Sequence, residues 1–170
     1  MLLGHSSEPF SSAVQGHLHR FLLEQGVERA LSYRAFGSEI SLELLPTLLP
    51  QVEFYAPRAA LTPQPHLTLH PWSARVVRSK LGMLEPAPDA PEMDVTLLGC
   101  VLLPGLAFDS EGFRLGYGMG FYDCLLEKLP SSVLRVGVCS SEMWVERLPR
   151  EDHDQPVQWL ADESGVHRLS

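Results

Sequence analysis

The sequence predicts an α/β fold: a single three-layer α/β/α domain with a mainly parallel, Rossmann-like sheet. Two observations carry the prediction. Short apolar runs of strand character alternate along the chain with longer amphipathic stretches. The last third then holds a strand, a short helix and a second strand, the pattern of a right-handed crossover between parallel strands. With 170 residues, 45% of them hydrophobic, the chain is long enough for one compact core, and no break in composition divides residues 1–170 into two domains.

The elements follow in order. Val14, Leu18, Phe21 and Leu22 share one face of an amphipathic helix over 11–24, with Ser11 or Ser12 as its cap and a stop near Gly26. Residues 30–34 form the next strand. Ser38 is placed to cap a helix over 39–48, whose last turn Pro46 bends or shortens, and 52–56 is the strand after it. Nine of the 14 prolines fall between Pro46 and Pro91, so the middle third is expected to be rich in turns, with 66–70 and 75–78 as a small β excursion. Residues 95–103 read as a buried strand, 121–129 as a helix and 134–138 as a strand. In such sheets ligands sit beyond the carboxyl ends of the strands, where the loop after Leu103 belongs.

Charge and cysteine usage narrow the function classes. Thirteen Lys and Arg against 21 Asp and Glu give a formal net charge of −8, which opposes general nucleic-acid binding but leaves room for a local basic site that takes a small anion. Cys100, Cys124 and Cys139 are widely spaced, with no CxxC pair. They predict neither a disulfide framework nor a zinc site, and they suit a reduced, cytoplasmic setting. No apolar run approaches the ~20 residues of a membrane span, and the opening MLLGHSSEPF lacks the pattern of a secretory signal. Nothing in the sequence specifies an oligomeric state. His66 and His70 have metal-pair spacing only in a helix, which Pro65 and Pro71 oppose.

Residues 103–123, LPGLAFDSEGFRLGYGMGFYD, are the most informative stretch. Gly116, Gly118 and Gly120 let the backbone approach a ligand, and N–H groups at the following helix start favour an anion. Asp123, one turn into that helix, repels a phosphate unless a cation lies between, which suggests a metal-bridged nucleotide. A Walker loop fits less well because Phe121 and Tyr122, not Lys and Ser or Thr, follow Gly120; a dinucleotide fingerprint fits less well because Phe121 stands where its third glycine belongs. On spacing alone the glycines mark a tight turn as readily as a phosphate cradle. Arg114 ahead of them and the aromatic and acidic groups behind make the stretch more specific.

The stretch resembles the signature of the 5-formyltetrahydrofolate cyclo-ligase family: PGLAFD, a short turn with glycine, RLG, two more alternating glycines, an aromatic, then YD. Weaker similarity runs from about Tyr33 to Val166, through Glu39 in GSEIS, Pro57 and Arg58 after a strand, LGMLEP at 81–86 and LPREDHD at 148–154. The resemblance implies the same three-layer α/β/α fold and an ATP-dependent ligase of one-carbon metabolism. Such an enzyme converts the small-molecule substrate 5-formyltetrahydrofolate to 5,10-methenyltetrahydrofolate, with Mg²⁺ as the usual cation. A phosphorylated formyl oxygen is displaced when N10 of the folate closes the ring.

Carried over by position, the resemblance makes Arg114, Leu115, Gly116, Tyr117, Gly118, Met119, Gly120, Phe121 and Tyr122 the ATP-binding loop, with Arg114 and Tyr122 in catalytic roles. Tyr117 and Phe121 also stand near the reacting end of the folate, together with Glu39 and Arg34 as substrate-binding positions. Asp123 and Asp154 match the acidic positions for Mg²⁺. Ordinary structural roles stand beside these: helix-dipole compensation for Asp123 and Glu39, a turn for Asp154, and a strand-end cation for Arg34. The sequence also departs from the family. An additional basic N-terminal helix, whose Lys and Arg contact ATP phosphates, finds no match, since Arg20 and Arg29 do not align with it. Met119 stands where glycine or lysine is common, Cys124 where Arg is, Met143 where Gln is, and Asp162 and Glu163 replace a Thr-Glu pair. The alternative these departures favour is a non-catalytic folate- or nucleotide-binding protein of the same fold.

Overall fold

The computed structural model describes residues 8–170. In chain order its elements are α1 (Glu8–Glu24), β1 (Arg29–Leu31), α2 (Leu45–Leu48), β2 (Glu53–Ala60), β3 (His66–Pro71), β4 (Val76–Arg78), β5 (Leu84–Pro86), β6 (Cys100–Pro104), β7 (Ala107–Asp109), β8 (Arg114–Leu115), α3 (Phe121–Lys128), β9 (Leu134–Val138), β10 (Trp144–Val145), β11 (Trp159–Asp162) and β12 (Gly165–Arg168). Short 3-10 turns cover Val95–Leu97 and Ser141–Met143. Among the described residues no helix is long and apolar enough to cross a membrane.

Seven strands form the main sheet in the order β12, β11, β9, β6, β1, β2, β3. The five inner strands are parallel, as expected of a mainly parallel sheet, and an antiparallel strand closes each edge, which makes the whole sheet mixed. All five residues of β6 are buried, as a strand covered on both faces requires. Alternation sorts its side chains: Cys100 and Leu102 pack with Val14, Leu18 and Leu22 of α1, while Val101 and Leu103 pack with Phe108 and with Leu125 and Leu126 of α3.

Several predicted elements change. The first helix already covers Glu8, so neither Ser11 nor Ser12 is its cap; the Ser11 side chain is buried and its Oγ accepts a hydrogen bond from Ser41 N at 3.2 Å. Gly26, at φ 64°, ends that helix as expected. The predicted helix over 39–48 contracts to the four residues of α2. Side chains have taken the backbone groups that such a helix would use: Tyr33 Oη donates to Ile40 O at 2.8 Å, and Gln15 Oε1 accepts from Leu44 N and Leu45 N at 2.8 and 3.1 Å. Residues 95–103 open with a 3-10 turn because Asp94 Oδ1 accepts from Thr96 N at 2.9 Å, and the strand starts only at Cys100. The expected β excursion at 66–70 is an edge strand of the main sheet, paired with β2 from Tyr55 to Ala60.

The functional consequence lies in the strand order. From β1 the chain runs outward to β2 and β3, then returns to place β6 on the other side of β1. Such a reversal opens a crevice at the carboxyl ends of the two strands. Here it lies where the chain leaves β1 at Leu31 and β6 at Pro104.

Candidate active site

A cavity of ≈ 770 Å³ occupies this crevice. Its floor comes from Tyr33 and Arg34 after β1 and from Pro104 and Gly105 after β6, one wall from residues 114–123, another from Leu81, Met83, Leu84 and Glu85, and its rim from Glu39 and from residues 149–154. Every residue that the sequence assigned to the site therefore lines one space.

Arg114 is fixed by its surroundings. The short hairpin of β7 and β8 presents it, Nη1 donates to Pro104 O at 3.3 Å, and the guanidinium lies 5.1 Å above the Tyr122 ring. Glycine makes room on both sides: a Cβ at Gly105 would stand 2.9 Å from Arg114 Cγ, and one at Gly116 would collide with the guanidinium. Among the described residues no carboxylate lies within 4.0 Å of Arg114. The other two arginines of the cavity are engaged. Arg34 donates to Glu43 at 2.9 Å and to Trp72 O at 3.1 Å, with the Trp72 ring 4.0 Å away; Arg150 pairs with Asp109 at 3.4 Å and with Glu111. Among the described residues Arg114 is thus the arginine of the cavity left for an incoming anion.

The glycine loop then delivers the chain into α3. Gly118 and Gly120 hold φ of 86° and 70°, a region that L side chains avoid, and nothing stands within 4 Å of a Cβ placed on either. They are glycines for backbone conformation, with open space beside them. The first N–H groups of α3 have no intrahelical partner, and its Gly120 cap supplies no side chain to satisfy them.

Across the cavity Glu39 Oε2 accepts from Phe36 N at 2.8 Å. Burial raises its pKa, against the lowering effects of that hydrogen bond and of the Arg114 charge. Tyr117 meets Phe36 edge-on at 5.8 Å, so the glycine loop and the 36–39 turn touch over the mouth. Burial also raises the Tyr33 and Tyr122 hydroxyls, which stay protonated. On the opposite rim Asp123 Oδ1 accepts from Gln155 N at 3.1 Å, and Asp154 Oδ2 accepts from Glu151 N at 2.8 Å. The structure therefore brings Asp123 to the residue next to Asp154. Among the described residues no group of three or more His, Cys, Asp and Glu is gathered as a metal cluster.

Sequence reasoning gave no role to Asp109, Glu85 or Arg150, although each sits in a segment singled out above: PGLAFD, LGMLEP and LPREDHD. Their long-range partners could not be seen from the sequence. Glu85 is buried, receives Arg58 Nη1 at 2.9 Å and Ala59 N at 3.3 Å, and fastens the β4 and β5 hairpin, with its apolar wall, to β2.

Comparison with known proteins gives a family and a fold. Residues 10–161 match the 5-formyltetrahydrofolate cyclo-ligase family. Among curated proteins, the 5-formyltetrahydrofolate cyclo-ligase of Escherichia coli is 34% identical over 102 residues, covering 59% of this chain and 56% of that protein. The one of Mycolicibacterium smegmatis is 32% identical over 80 residues, covering 46% and 41%. The chain thus spans about half the length of the curated relatives that it matches. Among solved structures, the Aquifex aeolicus 5,10-methenyltetrahydrofolate synthetase superposes with a TM-score of 0.77 at 31% identity, over 94% of this chain and 80% of that one. The Mycoplasma pneumoniae synthetase gives 0.76 at 16% identity over 95% and 90%, a likeness of fold.

Proposed function

The chain belongs to the 5-formyltetrahydrofolate cyclo-ligase family, and on that premise we propose that it converts 5-formyltetrahydrofolate to 5,10-methenyltetrahydrofolate with ATP hydrolysed to ADP and phosphate. The observation that carries the proposal is the meeting, in one cavity, of an arginine without a carboxylate partner among the described residues, an open helix start and the Asp123 and Asp154 carboxylates. In the reaction the formyl oxygen takes the γ-phosphoryl group and ADP leaves. N10 then attacks the activated carbon, loses its proton to solvent, and phosphate departs with the oxygen. Transfer of this kind needs alignment and charge neutralisation more than a protein nucleophile.

Arg114 and the N–H groups of residues 115–122 hold the triphosphate, and Tyr122 supports the guanidinium from below. Tyr117 and Phe121 present ring faces to the flat pterin, Glu39 accepts its N–H groups, and Arg34, anchored by Glu43, borders the same end. Asp123 and Asp154 each keep one carboxylate oxygen that accepts no backbone N–H, and these would hold Mg²⁺. Two carboxylates fit that ion, since protein sites for it commonly supply one or two. When bound, it neutralises phosphate charge.

With α1 and α3 packed on opposite faces of the sheet, we read the architecture as a reduced three-layer α/β/α, Rossmann-like unit in one domain. Buried free thiols at Cys100 and Cys139 suit a reducing, cytoplasmic environment. The test is direct: purified protein with 5-formyltetrahydrofolate, ATP and Mg²⁺ forms the methenyl chromophore and releases one ADP per product. Binding of both ligands without chromophore would select the non-catalytic alternative instead.

A further inference from the structure

Asp109, the last residue of PGLAFD, has no part in the chemistry above, yet it is the most heavily bonded carboxylate near the cavity. Its side chain is completely buried. Oδ1 accepts from Glu111 N and Phe113 N, both at 3.0 Å, and so shapes the turn that leads into Arg114. Oδ2 faces away from that turn and accepts from Leu148 N at 3.1 Å and Arg150 Nη2 at 3.4 Å. The turn is also tied to the same distant stretch by Val157 N donating to Gly112 O at 2.9 Å and by Ser110 Oγ donating to Glu146 O at 3.3 Å.

Residues 148–155 form a strap over the cavity rim. One end is held at Leu148 N by Asp109 and the other at Gln155 N by Asp123. Between these points, among the described residues, only the Arg150 side chain makes a hydrogen bond, ion pair or cation–π contact to the rest of the molecule, with Asp109, Glu111 and the Phe113 ring 4.0 Å away. Asp154 sits inside the strap and is bonded only to strap residues.

We propose that Asp109 is a positioning residue for the phosphate and cation end of the cavity: one buried carboxylate sets the Arg114 turn with one oxygen and the Asp154 strap with the other, fixing the distance between them. The inference rests on the function proposed above. It follows from hydrogen-bond capacity, because a carboxylate oxygen can accept two donors and Asp109 presents two pairs on opposite sides. A carboxamide oxygen serves only one pair, and its NH₂ would face the other two donors.

The experiment is amide hydrogen exchange on Asp109→Asn, with an Mg²⁺ titration of turnover and calorimetric titration of Mg²⁺-ATP. Exchange at residues 148–155 is expected to rise ~10-fold or more, as for loss of a charged buried acceptor, while amides at 14–22 in α1 keep their wild-type rates. The Mg²⁺ concentration for half-maximal turnover rises by a similar factor, and kcat at saturating Mg²⁺ falls less. Arg150→Gln, which leaves the carboxylate in place, gives a smaller change of the same sign and serves if Asp109→Asn does not fold. Wild-type exchange in the strap of both variants would overturn the proposal. So would equal acceleration in α1, which would make Asp109 a general stability residue, or a loosened strap with an unchanged Mg²⁺ response. If the wild type lacks turnover, the ligase function fails separately, and exchange with Mg²⁺-ATP binding decides the role of Asp109.

Discussion

At the scale of single residues the site is a study in which charges are left without partners. Arg34, Arg114 and Arg150 all border the cavity, but Glu43 and Asp109 engage the first and last, while among the described residues Arg114 meets only a carbonyl and an aromatic ring. Glu39 gives the sharpest test. Its pKa is raised chiefly by burial, so the unfolded chain releases this proton before the folded chain does. Ionisation of Glu39 therefore costs stability as pH rises from the unfolded value through the raised folded one. Glu39→Gln is expected to keep the melting temperature at pH 7 unchanged or slightly higher while the KM for the folate rises at least ~10-fold, the effect of losing a charged hydrogen-bond acceptor. Thermal melts and steady-state kinetics on one preparation check both halves. In the wild type the same group makes substrate binding weaken on acidification at a higher pH than an ordinary glutamate would. Glu39 and Arg114 were legible as candidates because they lie in recognisable segments; Asp109 was not, because its long-range partners lie 39 and 41 residues away.

At the scale of elements, local signals succeeded where the backbone bonds to itself. The strand over 134–138 and the helix from Phe121 appear as the sequence predicts, the helix ending at Lys128. They failed where side chains from elsewhere claim the backbone, as Tyr33 and Gln15 do around the expected helix at 39–48. The short strands β10 and β11 exist through pairing with distant chain, β7 and β9, which no window of sequence contains, and β8 and β12 follow as hairpin partners of β7 and β11. The glycine loop belongs between these cases. Gly118→Ala meets no steric obstacle in the protein, so its cost is the left-handed backbone alone, about 1–2 kcal/mol. Because the loop is exposed, that cost should appear as a roughly 10-fold higher KM for ATP, the change in affinity that corresponds to about 1.4 kcal/mol, with little shift in melting temperature. An equal loss of thermal stability without a kinetic effect would show that the loop conformation serves folding and not the nucleotide.

At the scale of the whole molecule, the sheet separates the cysteines by accessibility. Cys100 and Cys139 are buried in the two halves of the core, and burial raises both thiols, Cys139 to about 12, while Cys124 is partly exposed on α3. Alkylation at pH 8 should therefore modify Cys124 first and leave the other two until the protein unfolds, which mass spectrometry reads directly. Early modification of Cys100 would contradict the burial of β6. The overall class was legible from alternating elements, and the reversal of strand order was not, because it depends on whether β6 returns to the far side of β1.

That reversal has a further effect. Groups facing one another over the crevice come from the first, middle and last parts of the chain, Tyr33 and Arg34, Arg114 to Asp123, and Asp154. No fragment cut between them can carry a partial activity. A ligand seated there bridges residues 33 to 154, so its occupancy opposes by mass action any unfolding that pulls these groups apart. Scarcity of nucleotide or folate would correspondingly leave the elements that carry them more open to proteases together.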